Sequence, residues 1–429
     1  MSAAPLRLGL AGLGTVGIGV VRIVQAHADL IAARAGRKID ITAVSARDRT
    51  KNRDADLSAY AWEDDPVNLA GRDDIDVFVE VMGGHEGPAK AATEAAIAAG
   101  KDIVTANKAL LAHHGQALAE TAEAAGRVIR FEAAVAGGIP VIKTLTEGLA
   151  GNAMRRVMGV MNGSCNYILT RMQSAGLSYE TVFEEARQLG YLEADPNLDV
   201  GGIDAGHKLS LLAAIAFGTQ VSFDAVQLEG IGSVSIDDIR HAGDMGYRIK
   251  LLGVAQMTGR GLEQRMTPCL VPVDHPLGQL QGGTNMVVLE GDSVGQIVLR
   301  GAGAGQGPTA SAIMADVIDI ARGNRLPTFG RPAASLATSV AAATSTAAPY
   351  YLRMTLVDKP GALAKIATCL GEAGISIDRM RQYGHQGAQA PVLIVTHKAT
   401  SDDIAHAVGM FGATGVLVGL PVALRIEEV

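Results

Sequence analysis

Cysteine, aromatic residues, basic blocks and long apolar runs are all scarce in this chain. Its three cysteines, Cys165, Cys269 and Cys369, are odd in number and far apart. That excludes a disulfide framework and fits a reducing compartment, so a cytoplasmic location is expected. No apolar run nears the ~20 residues of a membrane span. The N-terminal LGLAGLGTVGIGVV is glycine-rich, with only Arg7 as a basic residue before it. It lacks the cleavage pattern of a signal peptide, and no membrane partner is expected. The formal net charge is −7, which argues against a nucleic-acid partner. Aromatics make up only 4% of a chain that is 48% hydrophobic. Its cores must therefore be built from alanine, valine, leucine and glycine, a mix typical of α/β proteins. A length of 429 residues calls for two or three domains.

What is present begins with alternation. Residues 6–11, 39–44, 75–81, 102–105 and 128–131 read as short strands, and 16–33, 89–99 and 116–125 as helices. Alternating strands and helices predict a parallel, doubly wound sheet, a Rossmann-type nucleotide-binding domain over 1–135. After Gly137-Gly138 the rhythm changes. Helical patterns over 140–149, 167–172, 179–188 and 203–217 surround a strand at 155–160, and strands at 250–257, 264–271, 286–289 and 296–300 then follow one another. This predicts an α+β domain over 136–307 with an antiparallel sheet. The helix over 312–320 is expected to pack back on the first domain, so that 308–330 returns to it. The small, unpatterned ATSVAAATSTAAP (337–349) marks a linker, placed at 331–349. Residues 350–429 read strand, helix, strand, strand, helix, strand, the order of a ferredoxin-like domain.

GLGTVG puts Gly12, Gly14 and Gly17 in GxGxxG spacing between a strand and a helix. Glycine there allows the tight turn, the close approach of a pyrophosphate and helix–strand packing, and the helix N-terminus offers amide donors. The cofactor loop expected is therefore Gly12, Leu13, Gly14, Thr15, Val16 and Gly17. Where the ribose-binding acid would stand after the second strand, the chain has Ser45-Ala46-Arg47 with Lys51 close behind. Arg47 suits a 2′-phosphate, so NADP is favoured and NAD remains possible. At the carboxyl edge of the sheet, MGGH (82–85) and TANKALL (105–111) end two strands, and the second brings Asn107 and Lys108 to the crevice.

GYLEADPNLDVGGIDAGHKL (190–209) crowds Glu193, Asp195, Asp199 and Asp204 together, then His207 and Lys208, ahead of the apolar LSLLAAIAF. Asp204 and Lys208 are four apart and share a helix face. Spacing alone leaves open an exposed ion pair and an active site. Glu193 and Asp199 tilt the reading to the second, because crowded carboxylates call for a cationic ligand such as an ammonium group. Cys165, at the start of a helix, is a second candidate as a thiolate nucleophile. Asp195 has no role in this reading.

Taken jointly, GLGTVG, TANKALLAHHG, FEAAVAGGIPVI, MGVMNGSCNYILT, the 190–209 stretch and GAGAGQGPTASA resemble homoserine dehydrogenases. The likeness is to the monofunctional type with a C-terminal ACT domain, and it covers essentially the whole chain. No kinase-like segment precedes it, so the fused aspartate kinase form is not expected. The resemblance implies reversible NAD(P)H-dependent reduction of aspartate 4-semialdehyde to homoserine, toward threonine, methionine and isoleucine. It implies Lys208 as catalytic lysine with Asp204 as its partner, and Lys108 near both substrate and nicotinamide. It also implies Glu193, Asp199 and Gly190 at the substrate and Gly305 at the cofactor. Glu132, with the backbone at Val135, Gly137 and Ile139, matches a monovalent cation site, usually sodium. The DKPGAL loop of the ACT domain implies a small amino-acid effector, with threonine the natural proposal. A homodimer or homotetramer is expected. The competing readings are a semialdehyde dehydrogenase acting through Cys165 and a non-catalytic nucleotide- and amino-acid-sensing protein.

Overall fold

The computed structural model describes residues 4–193, 195–382 and 388–429. The chain begins with β1 (Leu6–Ala11), α1 (Thr15–Ala26), α2 (Ala28–Ala35), β2 (Ile39–Ser45), β3 (Ala61–Glu63) and α3 (Pro66–Ala70). It continues through β4 (Val77–Glu80), α4 (Pro88–Ala98), β5 (Asp102–Thr105), α5 (Lys108–Ala124) and β6 (Ile129–Arg130). These strands form one parallel sheet in the order β3-β2-β1-β4-β5-β6. VFVE of β4 and DIVT of β5 are buried at every residue, as strands covered on both faces by helices must be. The order switches direction between β1 and β4, which opens a crevice outside their C-terminal ends.

The single helix expected over 16–33 is in fact two. α1 and α2 meet at His27 with a bend of 85°. The bend lets Ile18, Val20, Val21 and Val24 of α1 and Ile31 and Ala35 of α2 reach the same core.

The middle of the chain runs α6 (Val141–Lys143), β7 (Met154–Val160), α7 (Gly163–Ala175), α8 (Tyr179–Gln188), α9 (Pro196–Val200) and α10 (Ile203–Phe217). Then come β8 (Gln227–Leu228), α11 (Ile236–Asp244), β9 (Tyr247–Thr258), β10 (Gly261–Pro272), α12 (Pro276–Gln279), β11 (Thr284–Gly291) and β12 (Gly295–Ala302). Strands β7, β9, β10, β11 and β12 pair antiparallel with one another, and the short β8 pairs in parallel with β10. From Asp204 to Ile215, α10 is buried at every residue, so its N-terminus is held by packing on all sides. α13 (Gln306–Ala321) returns to the first sheet and lies on α1. A Cβ on Gly19 would stand 2.6 Å from the Gln306 carbonyl oxygen.

The last part is β13 (Tyr350–Val357), α14 (Ala362–Glu372), β14 (Ile377–Gln382), β15 (Gln389–Thr396), α15 (Ser401–Ala413) and β16 (Leu417–Ile426), in the expected order. No pattern announced its attachment. β16 pairs in parallel with β10 through Cys269–Arg425 and Leu270–Ile426. One sheet therefore runs β12-β11-β7-β9-β10-β16-β13-β15-β14. At the junction the buried Arg265 donates to Glu427 at 2.7 Å and Glu263 at 3.1 Å, and Arg425 donates to Glu427 at 3.2 Å. The stretch expected as a linker is laid down on this surface, with isolated bridges Thr219–Ala337, Leu262–Ala341 and Ala348–Ala399.

Candidate active site

The glycine loop follows β1. The Gly12 amide donates to the Ser45 carbonyl at 2.8 Å, tying the turn to the end of β2. Gly12 has φ +108°, and a Cβ there would meet the Val81 carbonyl oxygen at 2.6 Å. A Cβ on Gly17 would lie 1.9 Å from the Gly12 carbonyl oxygen. Gly14, the N-cap of α1, has nothing within 4 Å of where its Cβ would stand. Two glycines thus permit packing, and the third leaves open space beside unsatisfied helix amides. Arg47 is exposed just beyond β2. Arg53 reaches the loop, donating to the Leu13 carbonyl at 3.2 Å. The Arg49 and Arg53 guanidinium carbons lie 5.7 and 5.5 Å from the Trp62 ring centroid.

A cavity of about 600 Å³ extends from Val16, Lys108 and Gly305 to Gly190, Glu193 and Lys208. At its centre Asp204 bridges two ammonium groups. Its Oδ2 accepts from Lys208 Nζ at 2.6 Å, and its Oδ1 lies 2.9 Å from Lys108 Nζ. Lys208 also donates to the Met161 carbonyl at 2.9 Å. Burial opposes ionisation of Asp204, but the two lysines outweigh it and hold the carboxyl well below the usual range. Burial likewise pulls the Lys108 ammonium down, and the charge of Asp204, aided by Glu193 and Asp199, leaves its pKa raised. His207 packs on Phe223, centroids 4.2 Å apart. Burial, with neighbouring His113, pushes it down to about 4.

Asp199 is buried and lines the same cavity. Its Oδ1 accepts from Asn162 Nδ2 and its Oδ2 from the Glu193 amide, both at 2.9 Å. The Glu193 side chain lines the cavity. Asp195 caps α9, accepting from the Asn197 amide at 3.1 Å, which gives this acid a structural role. Cys165 is fully buried, donates to the Asp199 carbonyl at 3.3 Å, and has its thiol pKa pushed well up by burial. An activated nucleophile needs the opposite environment.

Sequence reasoning missed Asn162. It caps α7 by accepting from the Cys165 amide at 2.8 Å, and it also donates to Asp204 Oδ2 at 3.4 Å. An asparagine directly ahead of a helical run was the available signal. Ser164 and Tyr191 were missed too. Ser164 donates to the Tyr191 carbonyl at 2.6 Å, and the Tyr191 ring stacks on Tyr167 at 4.3 Å.

The 132–139 segment borders the cavity through Gly137. Glu132, Val135, Gly137 and Ile139 are all buried. The Glu132 carboxylate accepts from the Ile142 and Lys143 amides at 2.8 Å each. Burial and nearby Asp316 push it up to about 7, and burial pushes Asp316 up to about 6. Two buried carboxyl groups thus share Lys143, which pairs with Asp319 and stands 3.7 Å from Asp316. Such a carboxylate, beside backbone turned by the left-handed Ala136 and Gly137, is chemically suited to a hard cation. A second cavity, of about 370 Å³, opens at the 358–363 loop and reaches Gln382.

Residues 140–318 match the family model "Homoserine dehydrogenase", 12–132 "Homoserine dehydrogenase, NAD binding domain", and 350–409 "ACT domain". The homoserine dehydrogenase of Neisseria gonorrhoeae is 42% identical, covering 99% of each chain. A crystal structure of a homoserine dehydrogenase from Thiobacillus denitrificans superposes with a TM-score of 0.94 at 38% identity, covering all of both chains. A hyperthermophilic archaeal homoserine dehydrogenase, solved in complex with NADPH, is similar with a TM-score of 0.63 at 25% identity. That likeness covers 73% of this chain and 97% of the archaeal one.

Proposed function

The chain belongs to the homoserine dehydrogenase family and acts as an NAD(P)-dependent oxidoreductase on a CH–OH group; from that premise we propose which of its residues perform the chemistry. It reduces L-aspartate 4-semialdehyde reversibly to L-homoserine, in amino-acid biosynthesis. In our reading Lys208 is the general acid, Asp204 orients it, and Lys108 stands beside substrate and nicotinamide. The observation that carries this is the carboxylate of Asp204 shared by two lysines in the main cavity.

When bound, the nicotinamide cofactor supplies the hydride to the carbonyl carbon or takes it back. Everything else falls to the protein. An ammonium has three N–H donors. Lys208 uses one on Asp204 and one on Met161, which leaves one for the substrate oxygen. That N–H stabilises the oxygen as negative charge grows and then delivers a proton to it. Oxidation of homoserine to the aldehyde releases a proton, so it is favoured at alkaline pH. Glu193 and Asp199 hold the substrate ammonium group, with Gly190 beside them, and Asn162 sets Asp199 against Asp204.

The Gly12–Gly17 loop, with Leu13, Thr15 and Val16, and Gly305 at the start of α13 would hold the cofactor pyrophosphate and nicotinamide end. Arg47 would favour the 2′-phosphate of NADP, supported by the arginine-rich stretch that follows it and by Arg53 on Leu13. Glu132 and the backbone of Val135, Gly137 and Ile139 would hold sodium or a similar ion. The functional division is 1–135 with 308–330, 136–307, a connecting 331–349, and 350–429 as an effector module for threonine. The working form is a homodimer or homotetramer in the cytoplasm. Among the described residues no single helix is long and apolar enough to cross a membrane.

The test is homoserine-dependent reduction of NADP and NAD at alkaline pH, with and without threonine, for the wild type and Lys208→Ala. The variant should lose turnover by at least about a thousandfold while still binding nucleotide. Near-normal turnover in it would overturn the assignment.

A further inference from the structure

We propose that Glu80 is a positioning residue that fixes the 82–84 loop and Lys108 together against the glycine loop. The inference rests on the reading that this cavity and Lys108 serve cofactor and substrate. Glu80 ends β4 and is 0% exposed, yet among the described residues no lysine or arginine pairs with it. Its charge is met by neutral donors instead. Oε1 accepts from the Met82 amide at 2.7 Å and the Gly83 amide at 3.2 Å, and Oε2 from the Thr105 hydroxyl at 2.6 Å.

From Thr105 the network turns back on itself. The Thr105 hydroxyl accepts from the Asn107 amide at 2.9 Å. Asn107 Oδ1 accepts from the Leu110 amide at 3.0 Å, capping the helix whose first residue is Lys108. Asn107 Nδ2 donates to the Gly84 carbonyl at 2.6 Å. The closed circuit therefore holds the loop at both ends and sets the start of α5. Gly83 and Gly84 have φ of 82° and 84° and no side chains with which to brace the loop. Val81, next to Glu80, is the residue packed on Gly12. One buried carboxylate thus ties three walls of the cavity together.

Why a carboxylate is needed follows from donor counting. Three donors converge on two oxygens, so every site must accept. Glutamine has the same shape but turns one acceptor into a donor. Facing Thr105, its NH₂ would leave the hydroxyl hydrogen without an acceptor. Facing Met82 and Gly83, it would oppose two amide hydrogens. Hydrogen bonds to charged groups in a buried network are among the stronger ones and are not additive.

The experiment measures steady-state kinetics, nicotinamide-cofactor affinity and Tm for Glu80→Gln, Thr105→Val, the double variant, Thr105→Ser and Thr93→Val. Thr93 is a buried hydroxyl bonded to the Ala89 carbonyl at 2.8 Å, in the same unit but outside the circuit. Glu80→Gln and Thr105→Val should each raise the cofactor KM and lower kcat/KM for homoserine about tenfold. The double variant should be no worse than the worse single one, because both remove one shared bond. Thr105→Ser should restore wild-type kinetics, and Thr93→Val should lose Tm without changing kcat or KM. If Glu80→Gln does not fold, the Thr105 pair carries the test alone. Wild-type kinetics in folded Glu80→Gln and Thr105→Val, or effects that multiply in the double variant, would overturn the proposal. Turnover retained in Lys108→Ala would instead overturn the reading of the site beneath it.

Discussion

Asp204 is the residue on which the lysines depend. With Asn in its place, two ammonium groups would face each other across a neutral amide whose oxygen can accept from only one of them while its NH₂ faces the other. Asp204→Asn should therefore lower kcat/KM by about 10²–10³. The same substitution has a thermodynamic signature. A carboxylate depressed on folding contributes stability above its ordinary value of 3.8, and that contribution is lost as pH falls through its folded value. A plot of Tm against pH should thus be shallower for Asp204→Asn than for wild type below about pH 4. The glycines give a paired prediction. Gly14→Ala, with open space at its Cβ, should keep Tm and raise the cofactor KM. Gly17→Ala, blocked at 1.9 Å by Gly12, should lose several kcal/mol, since the obstacle is backbone. Calorimetry alongside kinetics separates the two. At this scale the sequence exposed what a single helix decides, the shared face of Asp204 and Lys208. It could not expose Lys108 as the second partner of Asp204, because that distance is set by two elements 96 positions apart in the chain. Nor could it show that Asp199 is held by Asn162.

Elements place these residues by their ends. α5 begins at Lys108, α10 at Ile203 and α7 at Gly163, and all three starts converge on the cavity. Helix starts carry caps that a sequence can betray, and the asparagines of TANK and MNGS were such signals, yet the two helices were expected only from 116 and 167 onward and begin earlier, at Lys108 and Gly163. The bend at His27 was not betrayed, since neither proline nor glycine marks it. The 132–139 segment behaves differently, as a short irregular link whose buried Glu132 has no ion pair of its own among the described residues. Exchanging sodium for choline should lower the Tm of the wild type by a few degrees, while Glu132→Gln should be indifferent to the exchange. Equal responses would remove this segment as the cation site. The sequence of the segment shows glycines but not its donor chemistry, which becomes visible once burial is known.

The whole molecule is joined through β10 and β16. Two residue pairs between strands of different domains leave no periodic trace, nor does Tyr351 of β13 on Asp238 of α11, so this contact was beyond sequence reasoning, whereas the order of elements within each domain was not. Removing everything after residue 340 would take Glu427 from the fully buried Arg265. Arg265 would keep only one carboxylate, Glu263 at 3.1 Å, and stripping the other and its covering strand from a buried arginine is destabilising, so the truncated enzyme should lose Tm and activity together. Loss of threonine sensitivity in it would then say little. Gln382→Ala, at the rim of the second cavity, is the cleaner probe of an effector there, read as threonine inhibition at unchanged basal kcat.

The bridges at Ala337, Ala341 and Ala348 carry a consequence for handling the protein. A protease that cut within 331–349 would nick the chain without freeing a C-terminal fragment. The two pieces would co-elute on gel filtration and separate only on a denaturing gel.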